Sequence, residues 1–205
     1  MNDRPGFFDV DCRELDTAGT GLGFRPRVEP LAATLNRLYA FIHERGTPLL
    51  FTTCCSGRPL VPGAPPDVLF VPRAAESREW LAHVGEHRRF YLEKRHCGNP
   101  QANYCEQAFD VFRHNANVVS LLKRLNVPRW VVFGNGFDFC VHSTARGLLR
   151  HGFQVHLLTD VMIAAARGYG EYGESGTEAN RRRILDKLAA QGATLGTLQE
   201  LLESA

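Results

Sequence analysis

Residues 130–152, WVVFGNGFDFCVHSTARGLLRHG, constrain the fold more than any other stretch. An apolar run climbs to a pair of glycines, a helical pattern follows and closes on Gly152, and a second apolar run, FQVHLLTD, begins at once. Short unbroken apolar runs suit strands covered on both faces, and a helix between two of them is a crossover joining parallel strands. The alternation recurs along the chain. GFFDVD (6–11) reads as a buried strand ending in acid, and VEPLAATLNRLYAFIHERG (28–46) as a helix closed by glycine. TPLLFTT (47–53), RRFYLEK (88–94), RWVVFG (129–134) and FQVHLLTD (153–160) read as further strands. Helices are expected over ESREWLAHVG (76–85), NANVVSLLKRLNV (115–127, with an Asn cap), 138–152, TEANRRRILDKLAAQG (177–192) and the final TLQELLES.

This pattern predicts one α/β domain over residues 1–205, with a Rossmann-like, doubly wound, mainly parallel sheet between two helical layers. Two irregular segments, 54–75 (rich in Pro and Gly) and 95–107, read as loops that wall a pocket. In such sheets ligands bind beyond the carboxyl ends of the strands. Asp11, Lys94 and Asp160 fall at those ends, and Cys140 lies just beyond another.

Cys140 follows the turn GNGFD and falls in the first turn of the expected helix, where free N–H groups and the helix dipole favour a thiolate. The N–H groups of Gly136 and Cys140 can be aimed at a developing oxyanion. A cysteine nucleophile also needs a base or a cation. His142, two residues on along the helix, points elsewhere, so an acid and a lysine from neighbouring strand ends are the candidates. The acid is Asp11 or, as a second acid, Asp9. The longer strand before Asp11 favours it, and the two side chains are expected on one strand face, where one carboxyl would be pushed up.

These residues resemble the isochorismatase-like cysteine hydrolases, which include nicotinamidases, N-carbamoylsarcosine amidases and ureidoacrylate amidases. The resemblance rests on FFDVD, on YLEK followed by AFDVF, and above all on VVFGNGFDFCVHSTARGLLRHGFQVHLLTDV, which is similar to the family's G-x-x-x-D-x-C-V-x-x-T-A pattern. It implies a six-stranded sheet in a three-layer α/β/α hydrolase fold and a catalytic Asp11, Lys94 and Cys140. It further implies a cis peptide at Asn135–Gly136 that turns the Gly136 N–H into the oxyanion hole, and a homo-oligomer, dimer or tetramer. The expected reaction is hydrolysis of a C–N bond in a small carboxamide or ureido compound through a Cys140 thioester.

Where metal-dependent nicotinamidases carry Asp-x-His after the second strand, this chain reads TTCCSGRPL, with Cys54 and Ser56 at those positions. No metal and no cofactor are therefore expected. Cys54, Cys55, His96, Cys97 and Cys105 match no standard site and are read as pocket thiols. Arg13 stands where the family has Gln and is a candidate for a substrate carboxylate. Phe137, Tyr104 and, more weakly, Arg58 and Arg95 are further pocket candidates. Asp138 is read as a helix N-cap and Asp160 as a cap for the segment after it.

A net charge of +2 argues against nucleic-acid or anionic-membrane partners. No apolar run approaches the roughly 20 residues a membrane span needs, and MNDRPGFFDVD lacks a signal-peptide core. A cytoplasmic enzyme with a small-molecule amide substrate is expected, its six cysteines reduced. The competing readings are an inactive small-molecule-binding or interaction module on the same fold, and a thiol- or metal-handling protein.

Overall fold

The computed structural model describes residues 4–15, 22–24, 28–53, 67–73, 78–94, 110–164, 169–170, 173–174 and 176–204. The first strand, β1 (Gly6–Val10), is buried at all five positions. A short antiparallel hairpin of β2 (Arg13–Leu15) and β3 (Leu22–Phe24) follows. A 3-10 turn at Glu29–Leu31 leads into α1 (Ala32–Glu44), which buries Leu35, Leu38 and Ile42 at helical spacing. The chain leaves α1 through Gly46 at φ 57°, a left-handed exit that glycine takes without strain.

Next come β4 (Leu49–Thr52), β5 (Val68–Val71), a 3-10 helix at Glu79–Glu86 and β6 (Arg89–Leu92). Short helices α2 (Val111–His114) and α3 (Val118–Leu125) precede β7 (Arg129–Asn135). A π turn, Phe137–Val141, runs into α4 (His142–Arg150) and then β8 (Gln154–Ile163). Two-residue strands β9 (Tyr169–Gly170) and β10 (Gly173–Glu174) pair with each other. The order closes with α5 (Glu178–Ala190), β11 (Thr194–Gly196) and α6 (Leu198–Glu203). Thr177 caps α5 by accepting the Asn180 N–H, and Thr197 with Glu200 forms a capping box on α6.

The main sheet has the order β11-β8-β7-β1-β4-β6-β5, and every neighbouring pair in it is parallel. From β1 the chain adds β4 and the edge strand β5 on one side, with β6 between them, then returns to build β7, β8 and β11 on the other, so the order reverses between β1 and β7. One face packs on α1 and α6 through Phe7, Leu38, Val131, Phe133 and Leu201. The other packs on the 3-10 helix, α3, α4 and α5 through Phe8, Trp80, Leu122, Trp130, Leu148 and Ile184.

The α/β, doubly wound expectation holds, with seven strands rather than six. Segment 54–75 is not all loop, because Val68–Val71 forms the edge strand β5. Four apolar residues set between prolines carry too little pattern to be read alone, and pairing with β6 makes the strand. The three-residue β11 likewise exists through its pairing with β8. Strand β8 continues past Asp160 to Ile163. Segment 95–107 lies outside the described residues.

Candidate active site

The crevice lies beyond the carboxyl ends of β1, β4, β6 and β7, at the reversal of strand order. β1 ends at Val10, which pairs with Thr52 on one side and Gly134 on the other. Asp11 follows in a left-handed backbone conformation, φ 57°, uncommon for a residue with a side chain. Its N–H donates to Thr52 O at 3.1 Å. Thr52 Oγ1 donates to Asp11 Oδ1 at 2.7 Å, and Lys94 Nζ, just past β6, donates to Asp11 Oδ2 at 2.6 Å. Lys94 is 3% exposed and Asp11 1%. Sequence reasoning brought Lys94 and Asp11 together but missed Thr52.

The backbone before Lys94 is itself fixed. Asn115 Nδ2 donates to both Val71 O and Glu93 O at 3.1 Å, and Asn117 Nδ2 donates to Pro72 O at 2.8 Å. The expected Asn cap of the third helix is thus a clamp: the two amides tie the ends of β5 and β6 to the start of α3. Asn117 caps α3 by position, with no side-chain cap bond.

Cys140 is buried in the turn that leaves β7, the strand beside β1. Two glycines shape the approach. Gly134, φ 140°, runs so close to β1 that a Cβ there would lie 2.1 Å from Val10 O. Gly136 has φ 75° and ψ 48°, and a Cβ there would lie 3.5 Å from Cys140 Sγ. Gly136 O accepts the N–H groups of Phe139 and Val141 at 2.9 and 3.1 Å, closing the π turn. No peptide bond among the described residues is cis, so the expectation for Asn135–Gly136 is corrected. The left-handed Gly136 makes the change of direction instead.

Asp9 in β1 and Asp11 just after it do not share surroundings. Asp9, fully buried, accepts Tyr39 Oη–H at 2.6 Å on Oδ2 and the Cys12 N–H at 3.2 Å on Oδ1. Burial pushes its carboxyl up from the ordinary value, against the bond from Tyr39 and the field of Arg13. The left-handed turn at residue 11 separates the pair, sending Asp9 toward α1 and Asp11 toward β6.

Arg13 is engaged elsewhere than expected. Its guanidinium lies 4.2 Å over Tyr39 and 5.0 Å from the Phe24 ring centre, with Nε 4.0 Å from Asp9 Oδ2. Phe137 is buried under the guanidinium of Arg181, and with Asp138 and Asn180 it lines a small pocket. Asp138 is not the cap, because Gly136 takes that position; Asp138 Oδ2 accepts from Asn180 Nδ2 of α5 at 3.5 Å. Asp160 caps α6, not the segment after β8, by accepting the Leu198 N–H at 3.0 Å. Tyr104, Arg58, Arg95, Cys54, Cys55, His96, Cys97 and Cys105 lie outside the described residues. Among the described residues no group of three or more His, Cys, Asp or Glu is placed to hold a metal ion.

A cavity of about 680 Å³ lies away from this crevice. It runs along α1 from Arg13 to the amino ends of β4, β5 and β6, past His43, Asp67, Arg88 and Arg89. The buried Asp11–Lys94 pair lies instead at the carboxyl ends of the strands.

An isochorismatase domain model matches residues 23–200. The chain belongs to the isochorismatase family. The matched span holds Lys94 and Cys140 and begins after Asp9 and Asp11. No curated protein matches the sequence. Among solved structures the fold is similar to the pyrazinamidase of Pyrococcus horikoshii in complex with zinc, at 15% identity and TM-score 0.56, covering 95% of this chain and 99% of that one. It is similar to a cysteine hydrolase from Pseudomonas syringae pv. phaseolicola (13%, TM-score 0.58, 99% and 93% covered). It is also similar to the nicotinamidase of Staphylococcus aureus (13%, TM-score 0.58, 95% and 99% covered). Identities this low speak for the fold. This family member is a hydrolase, and no helix among its described residues is long and apolar enough to cross a membrane.

Proposed function

We propose that the protein is a cysteine amidohydrolase that cleaves a C–N bond of a small carboxamide or ureido compound. One observation carries the reading: a buried Lys94–Asp11 pair at 2.6 Å, at the strand-order reversal, one strand from the turn that holds Cys140. Nicotinamidase and pyrazinamidase activities among its structural relatives support the choice of bond.

Asp11 takes the thiol proton, and the Lys94 ammonium offsets the charge gathered on thiolate and carboxylate. Cys140 Sγ attacks the carbonyl carbon. The carbonyl π pair moves to oxygen, which rests on the Gly136 and Cys140 N–H groups. The oxyanion collapses, the C–N bond breaks, and the leaving nitrogen takes the proton from Asp11. Water, deprotonated by Asp11, attacks the thioester and restores the thiol with release of the acid. Each oxyanion donor is worth about 10²–10³ in rate. Asp9 is not the acid of this scheme, because its carboxyl group is bound to Tyr39 of α1, whereas Asp11 is the one paired with Lys94. The buried thiols Cys12 and Cys140 are unbridged, which suits a reducing cytoplasm. A homo-oligomer is the expected assembly.

Ammonia or amine release from nicotinamide, pyrazinamide, carbamoylsarcosine, ureidoacrylate and biuret, comparing wild type with Cys140→Ala, tests the reading. The expected result is release by the wild type that vanishes in the variant. No release, with a Cys140 that alkylates no faster than a free cysteine, would overturn it and leave a binding module.

A further inference from the structure

We propose that Asp9 is a positioning residue for Asp11: its carboxyl group fastens the left-handed turn that aims Asp11 at Lys94. The inference rests on the reading of Asp11, Lys94 and Cys140 as the reacting set. Its starting point is a carboxyl group where the fold asks for none. β1 is the central strand, and Phe7, Phe8 and Val10 are fully buried and apolar. An apolar residue at position 9 would pack there without the desolvation cost that a carboxyl brings.

Its contacts say what the group does. A left-handed residue with a side chain persists only where its surroundings over-determine it. Asp11 is pinned from both sides. Its own N–H goes to Thr52 O at 3.1 Å, and the next N–H, that of Cys12, goes to Asp9 Oδ1 at 3.2 Å. The second bond closes a loop from the side chain of residue 9 over residues 10 and 11. Asp9 cannot swing away, because its other oxygen holds Tyr39 Oη of α1 at 2.6 Å. The Arg13 guanidinium lies across Tyr39 and beside Phe24, so the β2–β3 hairpin closes over the cluster. The position of α1 is thereby transmitted to the Asp11–Lys94 pair through one carboxyl group.

The test follows alkylation of Cys140 by iodoacetamide from pH 5 to 9, read by mass spectrometry of the Cys140 peptide, in wild type, Asp9→Asn and Asp9→Val. An asparagine keeps the geometry, since its oxygen accepts from Cys12 and its amide donates to Tyr39 Oη. Valine removes both bonds. Wild type should react with an inflection below the free-cysteine value of about 8.5, and Asp9→Val should move toward that value and react about tenfold more slowly at pH 7. Asp9→Asn should stay within about twofold of wild type. An Asp9→Val profile that superimposes on wild type overturns the inference, because Asp9 then only supports the fold. Asp9→Asn as impaired as Asp9→Val also overturns it, because Asp9 then acts through its own proton. Should Asp9→Val not fold, Tyr39→Phe carries the test, and an unshifted profile there is equally fatal. Wild-type Cys140 that reacts like a free cysteine fails earlier and separately: it removes the nucleophile reading and this inference with it.

Discussion

Strand β6 carries an ion pair at each end, and the two pairs have the same length. At its amino end Arg89 Nη1 lies 2.6 Å from Asp67 Oδ2; just past its carboxyl end Lys94 Nζ lies 2.6 Å from Asp11 Oδ2. The first pair is one-third to over one-half exposed, 33% and 57%, and the second 3% and 1%. Around the first, charged groups settle on one another and on nearby carbonyls: His83 with Glu86 at 3.1 Å, Arg88 with His87 O at 2.9 Å. Water reaches and screens that end. At the other end Thr52 fills the second oxygen of Asp11, and Asn115 holds the backbone before Lys94. Distance does not separate the two pairs; burial does. A charge pair kept this dry costs the fold desolvation that apolar residues would avoid, which is the ground for proposing the carboxyl end as the site.

Removing one buried charge gives the largest effect. Lys94→Met keeps the side-chain stem and leaves Asp11 without its cation. It should lower unfolding stability by about 3–5 kcal/mol in urea titrations. It should also cut amide hydrolysis by about 10²–10³, the usual cost of losing one group that stabilises charge during the reaction. Activity near that of wild type in a folded variant would mean that the pair at the carboxyl end is as idle as the one at the amino end.

How far the sequence reveals this site depends on how local each signal is. Asp11, Lys94 and Cys140 are legible because strand ends and the glycine turn are local patterns, and residue type does the rest. Thr52 is not, since in LLFTT it looks like one more strand residue. Its bond to Asp11 exists only because β1 and β4 pair with Val10 opposite Thr52. Asn115 reads as a cap for the same reason: its partners, Val71 O and Glu93 O, are 44 and 22 residues away. Asp160 is exposed on a strand, and only the packing of α6 on β8 turns it into a cap across 38 residues. The short edge strands β5 and β11 are made by their neighbours rather than by their own sequence. Asp9 and Asp11 look alike from the sequence because strand alternation puts them on one face, and the left-handed φ at Asp11 removes that equivalence.

Thr52→Val should fall between the extremes. It preserves shape and β-branching and deletes the 2.7 Å bond to Asp11 Oδ1, leaving a buried acceptor unmet. A stability loss of about 1–3 kcal/mol is expected in the same titrations. Hydrolysis should fall less than in Lys94→Met, because Asp11 keeps its cation. Loss of activity as deep as in Lys94→Met would make Thr52 a full partner in the chemistry, and the buried end would then consist of three interdependent groups rather than a supported pair.

The exposed pair supplies the smallest effect and the control. Arg89→Met should cost no more than about 1 kcal/mol, and that difference should shrink further when salt is raised, since exposed charges are screened over about 8–10 Å at moderate ionic strength. The Lys94→Met deficit should persist in salt, because little solvent reaches that pair. Measuring both variants at low and high salt separates burial from distance within a single strand. A deficit in Arg89→Met that matched Lys94→Met and ignored salt would require the cavity end to be as dry as the crevice, and the contrast on which the choice of site rests would fail.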